Sequence, residues 1–168
     1  MHVLAGLTLA GWGEWGGAVR ALALLVTANA CPWALGRLLG QSGALALDFG
    51  RRLPDGQRLF GEHKTWRGLL SGTGGCALVA MGLALPAWVG AAFGALALTG
   101  DALSSALKRR LHLRPGADSP GLDQLPEALL PLAALSGRLG LEWGSAAAVL
   151  VVFVVLDMAS ARLRHPRP

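Results

Sequence analysis

Charged residues are scarce in this 168-residue chain. Asp, Glu, Lys and Arg make up 15% of it, whereas 53% of the residues are hydrophobic and the mean hydropathy is +0.49. This composition is too apolar for an ordinary soluble domain. The charges lie in short, mostly basic segments between long stretches that have almost none, as expected when lipid is the solvent. We therefore predict an all-α integral membrane protein that forms a single membrane-embedded domain over residues 1–168.

Cysteine is also scarce, and its placement excludes two common frameworks. Cys31 and Cys76 lie in apolar stretches and form no CxxC pair, so neither a disulfide framework nor a cysteine metal site is expected. The N-terminal stretch has no Lys or Arg before its apolar run, so we expect no cleaved signal peptide. The net charge of +5 lies beside apolar runs, which favours membrane topology and anionic phosphate ligands over a nucleic-acid partner.

The apolar runs predict about five transmembrane helices. Their approximate ranges are 17–39, 68–85, 88–107, 125–139 and 145–161. Two polar segments, 40–67 and 108–124, then lie on one side of the membrane together with the C-terminal tail. Thirteen of the fifteen Lys and Arg residues fall on this side, leaving Arg20 and Arg138 opposite. The positive-inside rule therefore predicts an outer N-terminus, a cytoplasmic C-terminus and two structured cytoplasmic loops.

The strongest candidate site lies at the end of the third predicted helix. Asp101, Ser104, Ser105 and Lys108 follow the i, i+3, i+4, i+7 pattern, so they share one helix face. Such a face suits a metal-bound polyphosphate, because an Asp can ligate Mg²⁺ and a Lys can neutralise phosphate charge. The alternative is a helix-end polar pair that extends to the membrane interface. An ionisable residue inside a span is costly and usually functional, which favours a site at Asp101.

Asp123 follows a loop with two Pro-Gly turns, at the point where the chain re-enters the membrane. It is either a second metal ligand facing Asp101 or the N-cap of the fourth helix. The spacing alone does not separate these two roles. Asp118, within the loop, is interpreted as a turn residue.

A third candidate site opens the second predicted helix. Lys64, Thr65 and Arg67 supply donors beside free N–H groups at a helix N-terminus, which is a typical anion site. It is not a P-loop, because the upstream glycine spacing is missing. The alternative is a basic topology signal on the inner face. In the first helix, Asn29 and Pro32 mark either a structural kink or a polar group for a ligand.

Five motifs, in this order along residues 28–127, resemble those of the CDP-archaeol synthase family, which is related to phosphatidate cytidylyltransferase. They are Ala28-Asn29-x-x-Pro32, Asp48-Phe49-Gly50-Arg51, His63-Lys64-Thr65-Trp66-Arg67-Gly68, Gly100-Asp101-x-x-Ser104-Ser105-x-x-Lys108-Arg109-Arg110-Leu111 and Pro120-Gly121-Leu122-Asp123-Gln124-Leu125-Pro126. The larger phosphatidate enzymes carry His-Gly-Gly before the last Asp, where this chain has Pro120-Gly121-Leu122. The archaeal-type subfamily is therefore the closer match.

The resemblance implies Mg²⁺-dependent transfer of CMP from CTP to a lipid phosphate, archaetidic or phosphatidic acid, at the cytoplasmic face of the inner membrane. It implies that Asp101 and Asp123 are catalytic carboxylates that organise the metal and triphosphate, and that Lys108 neutralises phosphate charge. The remaining substrate-binding candidates that it implies are Asn29, Asp48, Lys64, Thr65, Arg67, Ser104, Ser105 and Arg109.

Two alternatives to this enzyme remain at the level of the sequence. A small transporter or a lipid-binding scaffold would also explain an intramembrane Asp and a kinked first helix, although no inverted repeat is visible. A CDP-alcohol phosphotransferase is less well supported, because its helix with several Asp residues is missing. The glycine-rich spans permit a homodimer.

Overall fold

The computed structural model describes residues 13–113 and 121–164. After a short 3-10 turn at Gly13–Trp15, five helices follow: α1 Gly16–Leu39, α2 Trp66–Gly82, α3 Ala87–Arg110, α4 Gln124–Leu139 and α5 Trp143–Arg164. The predicted all-α architecture is confirmed, and the five helices lie close to the predicted ranges. The predicted turns at Pro115 and Pro120, and Asp118 between them, lie outside the described residues.

Three of these helices are long and apolar enough to cross a bilayer: Gly16–Leu39, Ala87–Arg110 and the Trp143–Ser160 part of α5. α2 and α4 are shorter, with 17 and 16 residues. At the helical rise per residue they span about 25 Å, less than the ~30 Å of a typical hydrocarbon core. Large apolar side chains such as Leu70, Leu78 and Val151 are exposed on the outside of the bundle, as expected for a surface covered by lipid.

α3 lies between α2 and α4, α1 packs on α2, and α5 contacts α1 and α4. The shared core contains the fully buried side chains of Leu24 and Leu25 on α1, Val89 and Phe93 on α3, and Leu139 on α4. Glycines on α3 allow the backbones to approach closely. A Cβ added at Gly90 would lie 2.2 Å from the Cys76 carbonyl oxygen of α2. Small residues are the usual means of close helix packing in membranes.

Residues 40–65 form a folded segment between α1 and α2. Leu47 N–H donates to the Lys64 carbonyl at 2.8 Å, and Trp66 N–H donates to the Leu45 carbonyl at 2.9 Å. Isolated antiparallel bridges join Ala46 to Thr65 and Arg52 to Arg58. These bonds fix where the segment delivers Lys64, so the prediction that the first polar loop is structured is confirmed.

Candidate active site

The polar face of α3 is turned into the protein. Ser104, Ser105 and Lys108 are between 1% and 9% exposed, and Asp101 is half-buried. The Ser104 hydroxyl donates to the Asp101 carbonyl at 2.8 Å. The shared face predicted from helical spacing is therefore confirmed, and the bundle, not the lipid, surrounds most of it.

Asp101 and Lys64 form an ion pair. The Lys64 Nζ lies 2.5 Å from the Asp101 Oδ2, and each side chain is about one-quarter exposed (25% and 23%). The folded 40–65 segment holds Lys64 next to α3, 37 positions before Asp101. The spacing of residues put them in two separate candidate sites, and the structure brings them into direct contact.

Lys108 and Asp123 form a second ion pair two turns further along α3. The Lys108 Nζ lies 2.6 Å from the Asp123 Oδ1. Asp123 occupies the N-cap position of α4, but its side chain makes no capping hydrogen bond. The sequence left open whether Asp123 caps α4. In the structure its carboxylate pairs with Lys108 and does not cap the helix.

Glu127 on α4 is an acidic residue of this region that the sequence-based prediction missed. It is 5% exposed and accepts a hydrogen bond from the Asn29 side chain of α1. It lies close enough to Asp101 to interact electrostatically. Glu127 follows Asp123 by four positions, so the two acids lie on one helix face. This spacing was the feature of the sequence from which Glu127 could have been predicted.

Close backbone contact between α3 and α4 brings Glu127 near Asp101. A Cβ added at Gly100 would lie 2.2 Å from the Pro126 carbonyl oxygen and 2.7 Å from the Glu127 Cα. Only glycine permits this approach. The backbone of α4 thus fills the space that a side chain at position 100 would need.

Asp48 is buried within the 40–65 segment, where Arg58 neutralises it at 2.6 Å. The backbone N–H groups of Gly50, Phe60 and Gly61 also donate to its carboxylate, over 3.0–3.3 Å. Burial raises the pKa of Asp48, but the hydrogen bonds from Arg58 and these amides outweigh it and hold the pKa well below its usual value. The carboxylate organises the segment that carries Lys64.

The same segment is tied to the end of α3 by Arg110. Its guanidinium lies 2.8 Å from Asp55 and donates to the Arg58 carbonyl at 3.0 Å. These contacts fix the position of the Asp48–Arg58 pair relative to the end of α3.

Thr65 and Arg67 have structural partners at the start of α2. Thr65 is the N-cap, and its hydroxyl accepts from the Gly68 N–H at 3.1 Å. Arg67 donates to the carbonyls of Gly40 and Ser42, where α1 ends. The predicted substrate-binding role of these two residues stays a prediction, since their side chains already join α2 to the end of α1.

Arg109 is a buried cation, 9% exposed, whose side chain lies against Gly61. Its guanidinium donates a long hydrogen bond, 3.4 Å, to the Leu113 carbonyl, and its Nε has no hydrogen-bond partner within residues 13–113 and 121–164. Among the residues that the structure describes, no carboxylate forms an ion pair with it. A buried guanidinium without a carboxylate is suited to receive an anionic group of a ligand.

A cavity of about 460 Å³ lies between α1 and α5. Its rim is apolar and open towards lipid, since Val26, Trp33 and Leu156 are 44–49% exposed. Asn29 and Asp157 add polar groups to its wall. The cavity therefore joins a lipid-facing opening to the polar interior.

The donors for a metal ion are limited. Within residues 13–113 and 121–164 no three His, Cys, Asp or Glu side chains form a metal-binding group. Asp101 and Asp123 are each neutralised by a lysine. This set fits Mg²⁺, which commonly uses one or two protein carboxylates and takes the rest of its ligands from substrate phosphates and water.

Comparisons with known proteins show which family the chain resembles. A family model described as CarS-like, CDP-archaeol synthase, matches residues 21–85. A CDP-archaeol synthase of Aeropyrum pernix is 39% identical over 135 residues, which cover 77% of this chain and 74% of that protein. Those of Pyrococcus furiosus and Methanopyrus kandleri are 38% and 43% identical, over 58% and 49% of this chain.

The chain matches 60% of the length of the Pyrococcus furiosus protein and 51% of the Methanopyrus kandleri protein. A solved structure, described as an intramembrane enzyme for archaeal membrane lipids biosynthesis, aligns with a TM-score of 0.65 and 33% identity. The alignment covers 82% of this chain and 90% of the solved one. The chain belongs to the CDP-archaeol synthase family.

Proposed function

We propose that the protein is a CTP-dependent cytidylyltransferase that transfers CMP to the phosphate of a membrane lipid and releases pyrophosphate. The observation that carries the proposal is the presence of two lysine–carboxylate pairs, Lys64–Asp101 and Lys108–Asp123, within two turns of α3. Family membership supports the same reaction and argues against a small transporter or a lipid-binding scaffold. From the name that the relatives share, CDP-archaeol synthase, we propose archaetidic acid as the preferred acceptor.

The charges of the two pairs suit a magnesium triphosphate. Such a ligand presents a cation to carboxylates and anionic oxygens to lysines, so it can exchange partners with both ion pairs without leaving a buried charge uncompensated. Asp101 and Asp123 would hold the Mg²⁺, which when bound neutralises part of the triphosphate charge. Lys64, Lys108 and the buried Arg109 would then contact phosphate oxygens.

The reaction we propose is an in-line displacement at the α-phosphorus of CTP. A phosphate oxygen of the lipid forms the new bond to this phosphorus, the bond to the β-phosphate oxygen breaks, and pyrophosphate leaves. The protein's contribution is positioning and electrostatic stabilisation, so no side-chain nucleophile is needed. The apolar opening between α1 and α5 would admit the chains of the lipid.

The topology that goes with this function has all five helices in the membrane. Tilting of the long helices and local thinning of the bilayer would accommodate the short α2 and α4. The N-terminus would be outside, and the C-terminus, the 40–65 segment and the α3–α4 connection would face the cytoplasm, as the distribution of Lys and Arg favours. The active site would open to the cytoplasm, where CTP and Mg²⁺ are available.

The test is a product assay with the purified protein in detergent. CTP and MgCl₂ are supplied with archaetidic acid, with phosphatidic acid, or without lipid, and ATP replaces CTP in a parallel series. We expect pyrophosphate release and a CDP-lipid mass only with CTP and a lipid acid. Pyrophosphate release that needs no lipid, or none under any condition, would contradict the proposal.

A further inference from the structure

Asp157 on α5 contacts Gln124 at the start of α4. The Gln124 Nε2 donates to the Asp157 Oδ2 at 2.8 Å, and the Gln124 Oε1 accepts from the Gly121 N–H at 2.9 Å. Gln124 is 6% exposed, so its amide is held at both ends inside the protein. The motif that carried the family resemblance includes Gln124, but neither the predicted site nor the proposed reaction uses it.

The bonds from Gln124 fix the turn that carries Asp123. Gly121 has a φ of +86°, which L-residues rarely adopt, and its carbonyl accepts from the Leu125 N–H at 2.9 Å. Asp123 lies between Gly121 and Leu125, and its carboxylate reaches Lys108. The orientation of that carboxylate therefore depends on the turn that Gln124 holds through Gly121. Asp157 in turn orients the Gln124 side chain.

The apolar packing of α5 does not explain an acid at this position. The apolar side chains of Ala146, Val149, Leu150 and Phe153 pack α5 against the core. An ionisable residue in such an apolar helix is costly and is usually functional. We propose that Asp157 is a positioning residue of the cytidylyltransferase reaction, which aligns Asp123 with Lys108 by holding Gln124 and the 121–123 turn. This inference rests on the proposed function.

The test compares variants that keep or remove the acceptor oxygen. Asp157→Asn retains an oxygen for the Gln124 amide, whereas Asp157→Leu does not. We expect Asp157→Leu to lower kcat about tenfold, the effect of one lost hydrogen bond to a charged group, with the KM for the lipid unchanged. Asp157→Asn should restore most of the activity, and Val155→Ala, at an exposed neighbour in α5, should leave it unchanged.

Two results would overturn the inference while the enzyme remains active. A rise in the KM for the lipid at unchanged kcat would mean that Asp157, which also lines the α1–α5 cavity, contacts the substrate itself. Additive losses in Asp157→Leu combined with Gln124→Leu would mean that the two residues act separately, because residues of one network give non-additive effects.

Hydrogen–deuterium exchange tests the same positioning without any activity. We expect the amides of residues 121–125 to exchange faster in Asp157→Leu, and at the native rate in Asp157→Asn and Val155→Ala. Unchanged exchange in Asp157→Leu would overturn the inference. An inactive native protein with faster exchange in Asp157→Leu would contradict the proposed reaction but leave the role of Asp157 in the turn intact.

Discussion

Asn29 on α1 donates a hydrogen bond to the carboxylate of Glu127 on α4, although the two residues are 98 positions apart. The same amide group lies 3.4 Å from the Leu25 carbonyl of its own helix. Because Glu127 is 5% exposed, it needs a donor inside the bundle to satisfy it. Asn29 thus links α1 to the acidic group beside Asp101.

Replacing Asn29 by leucine should destabilise the protein. Asn29→Leu leaves the Glu127 carboxylate without its donor, and an unsatisfied buried polar group costs about 1–3 kcal/mol. We expect a lower midpoint of thermal unfolding in detergent, measured by intrinsic tryptophan fluorescence. Asn29→Asp should be at least as damaging, because it places a second carboxylate against Glu127.

A matched control lies one half-turn earlier on the same helix. The Thr27 hydroxyl donates to the Ala23 carbonyl of its own helix, at 2.7 Å. Thr27→Val removes this bond within one helix with little effect. Equal midpoints for Asn29→Leu and Thr27→Val would refute the importance of the Asn29–Glu127 contact.

Asp101→Asn should abolish most of the activity and leave the fold intact. The change removes a charge that, in the proposed reaction, binds Mg²⁺ and balances Lys64, so we expect kcat/KM to fall by on the order of 100-fold or more. Lys64→Met should also reduce activity, and the double variant should be no worse than Asp101→Asn, since the two groups form one unit.

Thr99→Val is the control for Asp101→Asn. Thr99 lies two positions earlier on α3, is exposed, and its hydroxyl donates to the Ala95 carbonyl. Pyrophosphate release by Thr99→Val should match that of the native protein. Native activity in Asp101→Asn would remove the role assigned to this residue.

The stability supplied by Asp48 should depend on pH in a defined direction. Its hydrogen bonds hold the pKa in the folded state below the usual value, so the folded state favours the carboxylate. The stabilisation is fully present above the unfolded pKa of about 3.9 and is lost as the pH falls below it towards the folded pKa. We expect Asp48→Asn to unfold at a lower temperature at pH 7, with the gap closing below about pH 4.

Glu62→Gln provides the comparison for this pH series. Glu62 is exposed on the same segment, and its only ion-pair contact among the described residues is His63 at 3.8 Å. The Glu62→Gln variant should unfold at the same temperature as the native protein at each pH. A gap between Asp48→Asn and the native protein that stays constant down to pH 3 would contradict the assignment to Asp48.

The helices and one face of the site could be predicted because they depend on local spacing. The apolar length predicted α1 within one residue of its observed start at Gly16, and helical periodicity placed Ser104, Ser105 and Lys108 on a common face that the structure buries. Both inferences depend on one segment of the sequence and not on the elements that pack against it.

The partners across the site could not be predicted, because they depend on the packing between elements. Spacing alone did not show that Asp123 faces Lys108, or that the donors expected of Arg67 are used by the end of α1. The place of Glu127 beside Asp101 could not be predicted either, because it depends on how α3 and α4 pack. Its importance follows from the contact between Gly100 and Pro126.

That contact gives the last prediction. A Cβ at Gly100 would meet the Pro126 carbonyl oxygen at 2.2 Å, and neither atom can move unless α3 and α4 separate. Gly100→Ala should therefore displace Asp101 from Glu127 and Lys108 from Asp123, and should lower both the unfolding midpoint and kcat. Overpacking of this kind typically costs about 1–3 kcal/mol.

Gly74→Ala separates this effect from the intrinsic effect of alanine in a helix. Gly74 lies within α2, and a Cβ there would meet no atom within 4 Å, so the change should be neutral or stabilising by up to about 1 kcal/mol. Because alanine favours the helix at both positions, a loss at Gly100 together with no loss at Gly74 assigns the damage to the α3–α4 contact. Equal behaviour of the two variants would show that α3 and α4 can separate without consequence for the site.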